Sequence, residues 1–167
     1  MVVKLFNYIG WLIVLAVLQV LVFNNVLLFG YATPFLYVYL LFFVDPTIVS
    51  RNWLMLLGFI LGLAVDIGSN TLGMHASASV LLAFLRPSLL TFFSRSNDNE
   101  IIQPRISILG SGAYFNYLFF GVLIHHSLLI SVEFFKVTSL LDLSLRIICS
   151  TILTTICIFA VERVRSK

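Results

Sequence analysis

The side chains of this sequence that could carry chemistry are few: Asp66, His75, the adjacent His125 and His126, and Asp142 with Arg146. Two intramembrane aspartates on different helices can form an acid–base dyad. Asp66 and Asp142 are the pair to consider, yet the Asn and Asp motifs of a membrane aspartic protease are not visible around them. No HExxH and no GxSxG occurs either, so no enzyme activity is expected. His125 and His126 point about 100° apart on a helix and share a metal ion poorly, because helical metal pairs favour i,i+4 spacing. No metal and no cofactor is expected. Asp66, His75 and one of these histidines all fall near the outer ends of their segments, where they can meet as one polar cluster. Asp142 and Arg146, at i,i+4, read as a local ion pair at the start of the last segment.

The elements that position these residues are set by composition. Apolar residues make up 60% of the 167 positions and charged residues 10%. Ordinary soluble domains hold about 45–50% apolar and about 25% charged residues, so lipid must solvate most of these side chains. The expected fold is all-α, a polytopic bundle of about six transmembrane helices forming one membrane domain over residues 1–167. The apolar segments are 7–29, 34–44, 52–67, 72–93, 106–130 and 140–161. The first is too long for a signal-peptide core and lacks a small-x-small cleavage site, so it reads as a span. Cys149 and Cys157 lie about 12 Å apart along one helix, too far for a disulfide. The net charge of +3 carries no basic cluster with interleaved aromatics, so nucleic acid is not expected as a partner.

Lys and Arg give the orientation. With six crossings and a cytoplasmic N-terminus, Lys4, Arg51, Arg86, Arg95, Arg105, Arg163, Arg165 and Lys167 lie inside, leaving Lys136 and Arg146 outside. Both termini are then cytoplasmic, and Trp11 and Trp53 fall near the inner ends of their helices. Arg95, Asp98, Glu100 and Arg105 read as a solvated inner loop, Glu133 and Lys136 as an outer one. Segments two and three are short: residues 53–65 rise about 20 Å as a helix against a hydrocarbon core of about 30 Å. Such helices either thin the bilayer or stop inside it with their ends wrapped by protein. Residues 66–71 are therefore expected to line a recess open to the outside, with Asp66, Ser69, Asn70 and His75 as its polar or partner-contacting groups.

Gly58, Gly62 and Asp66 recur every four residues and share a helix face, where small residues let another helix approach. Gly73 is grouped with Gly58 and Gly62 as a helix-packing residue. Ser111, Gly112, Ala113 and Gly121 offer further close-packing sites on segment five. A carboxylate at a helix C-terminus opposes the dipole and needs compensation. The free N–H groups opening segment four are the nearest source, which makes Asp66 a cap between two helices at a tight turn.

The pattern Gly58-x3-Gly62-Leu-x2-Asp66, with Ser69 three residues on and then Leu72-Gly73 and Ala76, resembles the signature of the bacterial rod-shape-determining MreD family. The short Pro34-led segment and the basic C-terminus fit as well. The motif covers residues 58–85; the segment layout covers the chain. The resemblance implies a non-enzymatic scaffold of the cell-wall elongation machinery in the bacterial inner membrane. Implied associates are MreC, a class B penicillin-binding transpeptidase, the RodA glycosyltransferase and, indirectly, actin-like MreB, besides the lipid bilayer. His75 and the Arg86-Pro87 pair are not part of the general family pattern. The layout is also similar to the substrate-binding subunits of energy-coupling-factor vitamin transporters, which implies a small-molecule binder as the alternative function.

Overall fold

The computed structural model describes residues 2–71, 73–94, 103–133 and 139–166, with side chains from Phe6 onward. Leu72, Arg95, Asp98, Glu100, Lys136, Lys167 and the side chain of Lys4 lie outside the described residues. Among the described residues the protein is all-helical, with α1 Val2–Leu21, α2 Tyr39–Phe43, α3 Arg51–Ser69, α4 Met74–Ser94, α5 Ile106–Leu109, α6 Ser111–Glu133 and α7 Leu140–Arg165. Extended pairing is limited to one isolated bridge between Leu28 and Ala32.

Five helices are long and apolar enough to cross a membrane: α1 with the turn after it, α3, α4, α6 and α7. They pack as an open ring in the order α1, α3, α4, α6, α7. Their outer faces carry exposed apolar side chains, such as Ile13 and Val17 on α1, Phe59 and Ile60 on α3, and Ile152 and Ile156 on α7. These are the faces left for lipid.

Segment two is not a full span like the others; of the two readings open to a short segment, it follows the one in which protein wraps it. It runs through the middle of the ring as a 3-10 turn, Leu36–Val38, followed by the short α2. Tyr37, Val38, Leu40, Leu41, Phe42 and Val44 are completely buried. It meets no lipid, so its length need not match the bilayer; protein wraps it instead. Its irregular backbone finds partners on the surrounding helices, as buried backbone must. Gln19 of α1 donates to Pro34 O (3.1 Å) and accepts from Tyr37 N (3.4 Å), and Thr154 of α7 accepts from Phe35 N (3.1 Å). Pro34 precedes the 3-10 turn rather than opening an α-helix.

The far end of α2 is closed by Arg86 of α4, which is 3% exposed. Its Nη2 donates to Phe42 O (3.1 Å) and to Val44 O, and its Nε to the Tyr117 hydroxyl (2.9 Å). A guanidinium there satisfies the orphan carbonyls of a helix C-terminus and matches the negative end of its dipole. Arg86 therefore does not belong with the basic residues at the membrane surface. Beyond it Asp45 accepts from Thr47 N (2.9 Å) and Thr47 Oγ1 (2.7 Å), turning the chain back into α3.

The third segment is longer than the sequence suggests. α3 has 19 residues, about 28 Å of helix and close to a full span, because Gly68 and Ser69 continue it instead of breaking it. Gly68 leaves room for Val20 of α1: an added Cβ would lie 2.6 Å from its Cγ2. Segment five is broken instead, at Gly110 (φ +78°), which separates the one-turn α5 from α6.

Both chain ends lie at the same end of the ring. Tyr8 and Trp11 of α1, Asp45, Arg105 and Arg165 line one cleft there. Trp53 is 64% exposed at the start of α3, as a belt residue would be. Trp11 lies at this end as well, lining the cleft, and packs edge-on against Tyr39 and Phe43 (6.4 and 5.8 Å between ring centres).

Candidate functional site

The opposite end of the ring is organised by the α3–α4 turn. Asp66 is 1% exposed. Its Oδ1 accepts from His75 N (3.0 Å) and Thr71 Oγ1 (2.9 Å), and its Oδ2 from Ala76 N (2.9 Å). Two orphan N–H groups opening α4 are thereby satisfied by a carboxylate, which also suits the positive end of the α4 dipole. Both carboxylate oxygens are engaged, so Asp66 forms the underside of the turn and is no surface for a partner. Asn70 closes α3 in the left-handed conformation (φ 57°), its N–H bonded to Asp66 O, and points outward. It does not line the recess either.

Close packing under the turn comes from two of the three grouped glycines. An added Cβ at Gly62 would lie 2.4 Å from Ala76 Cα, and one at Gly58 3.1 Å from Ser79 O. Gly73 is different: among the described residues nothing lies within 4 Å of its Cβ position, and its φ is +80°. It supplies a left-handed turn ahead of α4 that an L side chain would strain, not a packing surface. On segment five, an added Cβ at Gly121 would lie 2.6 Å from Phe42 Cε1, whereas one at Gly112 would meet nothing within 4 Å among the described residues.

A recess of about 320 Å³ opens beside this turn. Asn24, Tyr31, Thr33 and Phe35 wall it from the connection after α1, and Ser69, Thr71 and His75 from the α3–α4 turn. Ile130 and Glu133 of α6 face Arg146 and Ser150 of α7 across it. Of the four expected recess residues, Ser69 and His75 line it. Ser69 also accepts from Asn24 Nδ2 (2.6 Å), which ties α3 to the end of the α1 unit. Arg146 lies over the Tyr31 ring at 5.8 Å, one turn into α7 from Asp142.

The histidines meet through a residue the sequence did not single out. The buried Tyr37 hydroxyl lies 2.9 Å from His75 Nδ1 and 2.8 Å from His125 Nε2. His125 Nδ1 is 3.5 Å from His126 Nδ1, which is 2.9 Å from Val122 O; His126 Nε2 is 3.2 Å from Thr154 Oγ1. Hydrogen bonds thus run from the recess wall into the middle of the bundle. Among the described residues no group of three His, Cys, Asp or Glu is placed to hold a metal ion. A clue to Tyr37 was available: its hydroxyl is the one polar group between Pro34 and the next tyrosine, in a segment too short to face lipid.

No protein-family model, no curated protein and no solved structure matches this chain.

At the other end a second buried acid, Glu162, accepts from the Tyr39 hydroxyl (2.6 Å) and pairs with Arg165 Nε (3.4 Å). The sequence reading did not single it out, since it sits beside Arg163 and Arg165 in the basic C-terminal stretch. Arg165 also covers the Phe43 ring at 4.7 Å. Between α7 and α1 the ring stays open as an apolar groove of about 530 Å³ lined by Trp11, Tyr39, Ala160, Val161, Val164 and Arg165.

Proposed function

We propose that this chain is a non-enzymatic scaffold of the bacterial cell-wall elongation machinery, of the MreD type, in the cytoplasmic membrane with both termini inside. The observation that carries the reading is the Gly58, Gly62 and Asp66 face with its Ser69 and Gly73 turn. Gly58, Gly62 and Asp66, which bear the family resemblance, also lock α3 to α4, so this part of the motif has a physical task in this chain. The groove between α1 and α7 supports a scaffold: its lining is mostly apolar and includes small Ala160. An apolar helix of a membrane partner fits that chemistry. Clustering of Arg51, Arg105, Arg163 and Arg165 toward one end supports the orientation.

Affinity purification of the tagged chain from detergent-solubilised membranes tests the proposal. Recovery of MreC, RodA or the transpeptidase is expected, and loss of the chain should round rod-shaped cells. Recovery of an ATP-hydrolysing transporter module without any wall-synthesis protein would transfer the assignment to the second reading, a small-molecule-binding transporter subunit. The polar recess is the observation that favours that reading.

A further inference from the structure

The cleft at the terminal end of the ring and the groove between α1 and α7 are two parts of one surface, because Trp11 and Arg165 line both. The groove runs from that joint toward the recess end: Ala160 lies five residues before Arg165 on α7, about 7.5 Å of helix rise. The cleft, of about 240 Å³, carries the polar groups, and the groove is walled by Ala160 and the exposed Val161 and Val164. A surface polar at the helix ends and apolar along the helix side matches an amphiphile lying parallel to the helices.

The cleft charges left without a partner specify its head. Arg165 is not one of them, because Glu162 neutralises it at 3.4 Å. Arg105 is exposed, and its guanidinium makes no hydrogen bond or ion pair among the described residues. Asp45 lines the cleft yet is only 6% exposed. Its Oδ1 takes both bonds from Thr47, which leaves Oδ2 without a donor among the described residues. A carboxylate so buried is costly without a cation beside it. The Tyr8 hydroxyl accepts from Asp45 N (3.2 Å), so its own proton remains to be donated. A phosphate answers Arg105 and Tyr8; only a cationic donor answers Asp45.

We propose that cleft and groove together bind one phospholipid with a primary ammonium head, of the phosphatidylethanolamine type. Its phosphate sits at Arg105 and Tyr8, its ammonium at Asp45, and one acyl chain runs past Trp11 along Val161 and Val164. Phosphatidylglycerol has no cation, and the quaternary nitrogen of phosphatidylcholine has no N–H, so neither satisfies Asp45. A partner's helix entering the groove would have to displace this lipid. The site is independent of whether the chain serves wall synthesis or transport.

Trp11 is the reporter. The full chain with Trp53→Phe, in non-ionic detergent micelles, is titrated with the three lipids carrying identical brominated acyl chains, which quench indole fluorescence on contact. Phosphatidylethanolamine should quench Trp11 at a mole fraction about fivefold lower than the other two, the worth of one partly exposed ion pair. Asp45→Asn keeps an acceptor for Thr47 and should remove that preference. Arg105→Gln should raise the mole fraction needed for all three lipids, and Ala160→Phe should fill the groove and suppress quenching. In the Trp11→Phe chain, Trp53 lies outside cleft and groove and should be quenched alike by all three. Equal quenching of Trp11 by the three lipids overturns the proposal, as does a preference that survives Asp45→Asn or that Trp53 shares. Quenching unchanged by Arg105→Gln or by Ala160→Phe overturns it too, and so does a Trp11 that none of the lipids quenches, the result expected if protein fills the groove.

Discussion

A methyl group at Gly62 would lie 2.4 Å from Ala76 Cα, 2.5 Å from Ala76 N and 2.6 Å from His75 C. All three are backbone atoms of α4, so no rotamer change relieves the clash, and α4 must move off the Asp66 carboxylate. Gly62→Ala should cost at least about 1–3 kcal/mol, the range for overpacking a tight interface. Gly58→Ala meets Ser79 O at 3.1 Å and Ser79 C at 3.3 Å, contacts that a shift of α4 by a few tenths of an ångström relieves, and should cost less than Gly62→Ala, about 1 kcal/mol or under. Gly73→Ala meets nothing and should cost about 1–2 kcal/mol through its positive φ alone. Unfolding of the purified variants in mixed micelles gives the order; Gly73 as costly as Gly62 would contradict the separation of turn from packing. Asp66 yields a second residue-scale prediction. Asp66→Leu strands the His75 and Ala76 N–H groups and should lose about 1–3 kcal/mol for each that stays buried. Asp66→Asn keeps one acceptor but aims an amide N–H at one of those donors, so its stability should fall between wild type and Asp66→Leu. If Asp66→Asn matches wild type in stability but loses rod shape, the charge serves a partner and capping is not the reason for it.

At the scale of elements, segment two depends on side chains from its neighbours. Arg86 serves the Phe42 and Val44 carbonyls and the Tyr117 hydroxyl together. Arg86→Met leaves those acceptors buried and unpaired, about 1–3 kcal/mol for each. Arg86→Lys keeps the charge but lacks the planar fork that reaches several groups at once. Folded protein recovered from membranes should fall in the order wild type, Lys, Met; equal recovery of all three would show that water reaches this end of α2. Burial gives a complementary expectation. In a cysteine-free background, a cysteine at Leu40 (0% exposed) should resist both aqueous and lipid-soluble thiol reagents, while one at Ile152 (46% exposed) should react with the lipid-soluble one. Rapid labelling at position 40 would mean that segment two is not enclosed. Helix periodicity could not reveal this element: a short apolar run reads alike whether lipid or protein surrounds it, and only the ring of long helices separates the two cases. The α3 end was misread for a related reason. Gly68, Ser69 and Asn70 are turn formers locally, yet packing on α1 and the hydrogen bond from Asn24 carry the helix through Ser69 before Asn70 stops it.

At the scale of the whole molecule, five lipid-facing helices and one enclosed crossing place both termini at the same end. Reporter fusions at Lys167 and ahead of Lys4 should therefore report the same side, the cytoplasm by the charge bias. Opposite signals would remove segment two as a crossing; two periplasmic signals would invert the orientation. Much of this architecture follows from the sequence by itself. Apolar runs of membrane length, basic residues gathered at alternate connections, and a glycine face ending in an acid are local or additive properties, legible without coordinates. The sequence thereby determined an all-α membrane bundle, the return of the chain to its starting side and the meeting of α3 with α4. Tertiary structure alone decided which polar groups face one another. Tyr37 joins His75 to His125 across 38 and 88 positions, and Glu162 meets Tyr39 across 123. Arg86 became a buried clasp instead of a surface charge, and Gly73 a turn instead of a contact. A side chain's role in a bundle depends on its azimuth about the helix and on which neighbour fills the facing space, and neither is encoded within one turn of the chain.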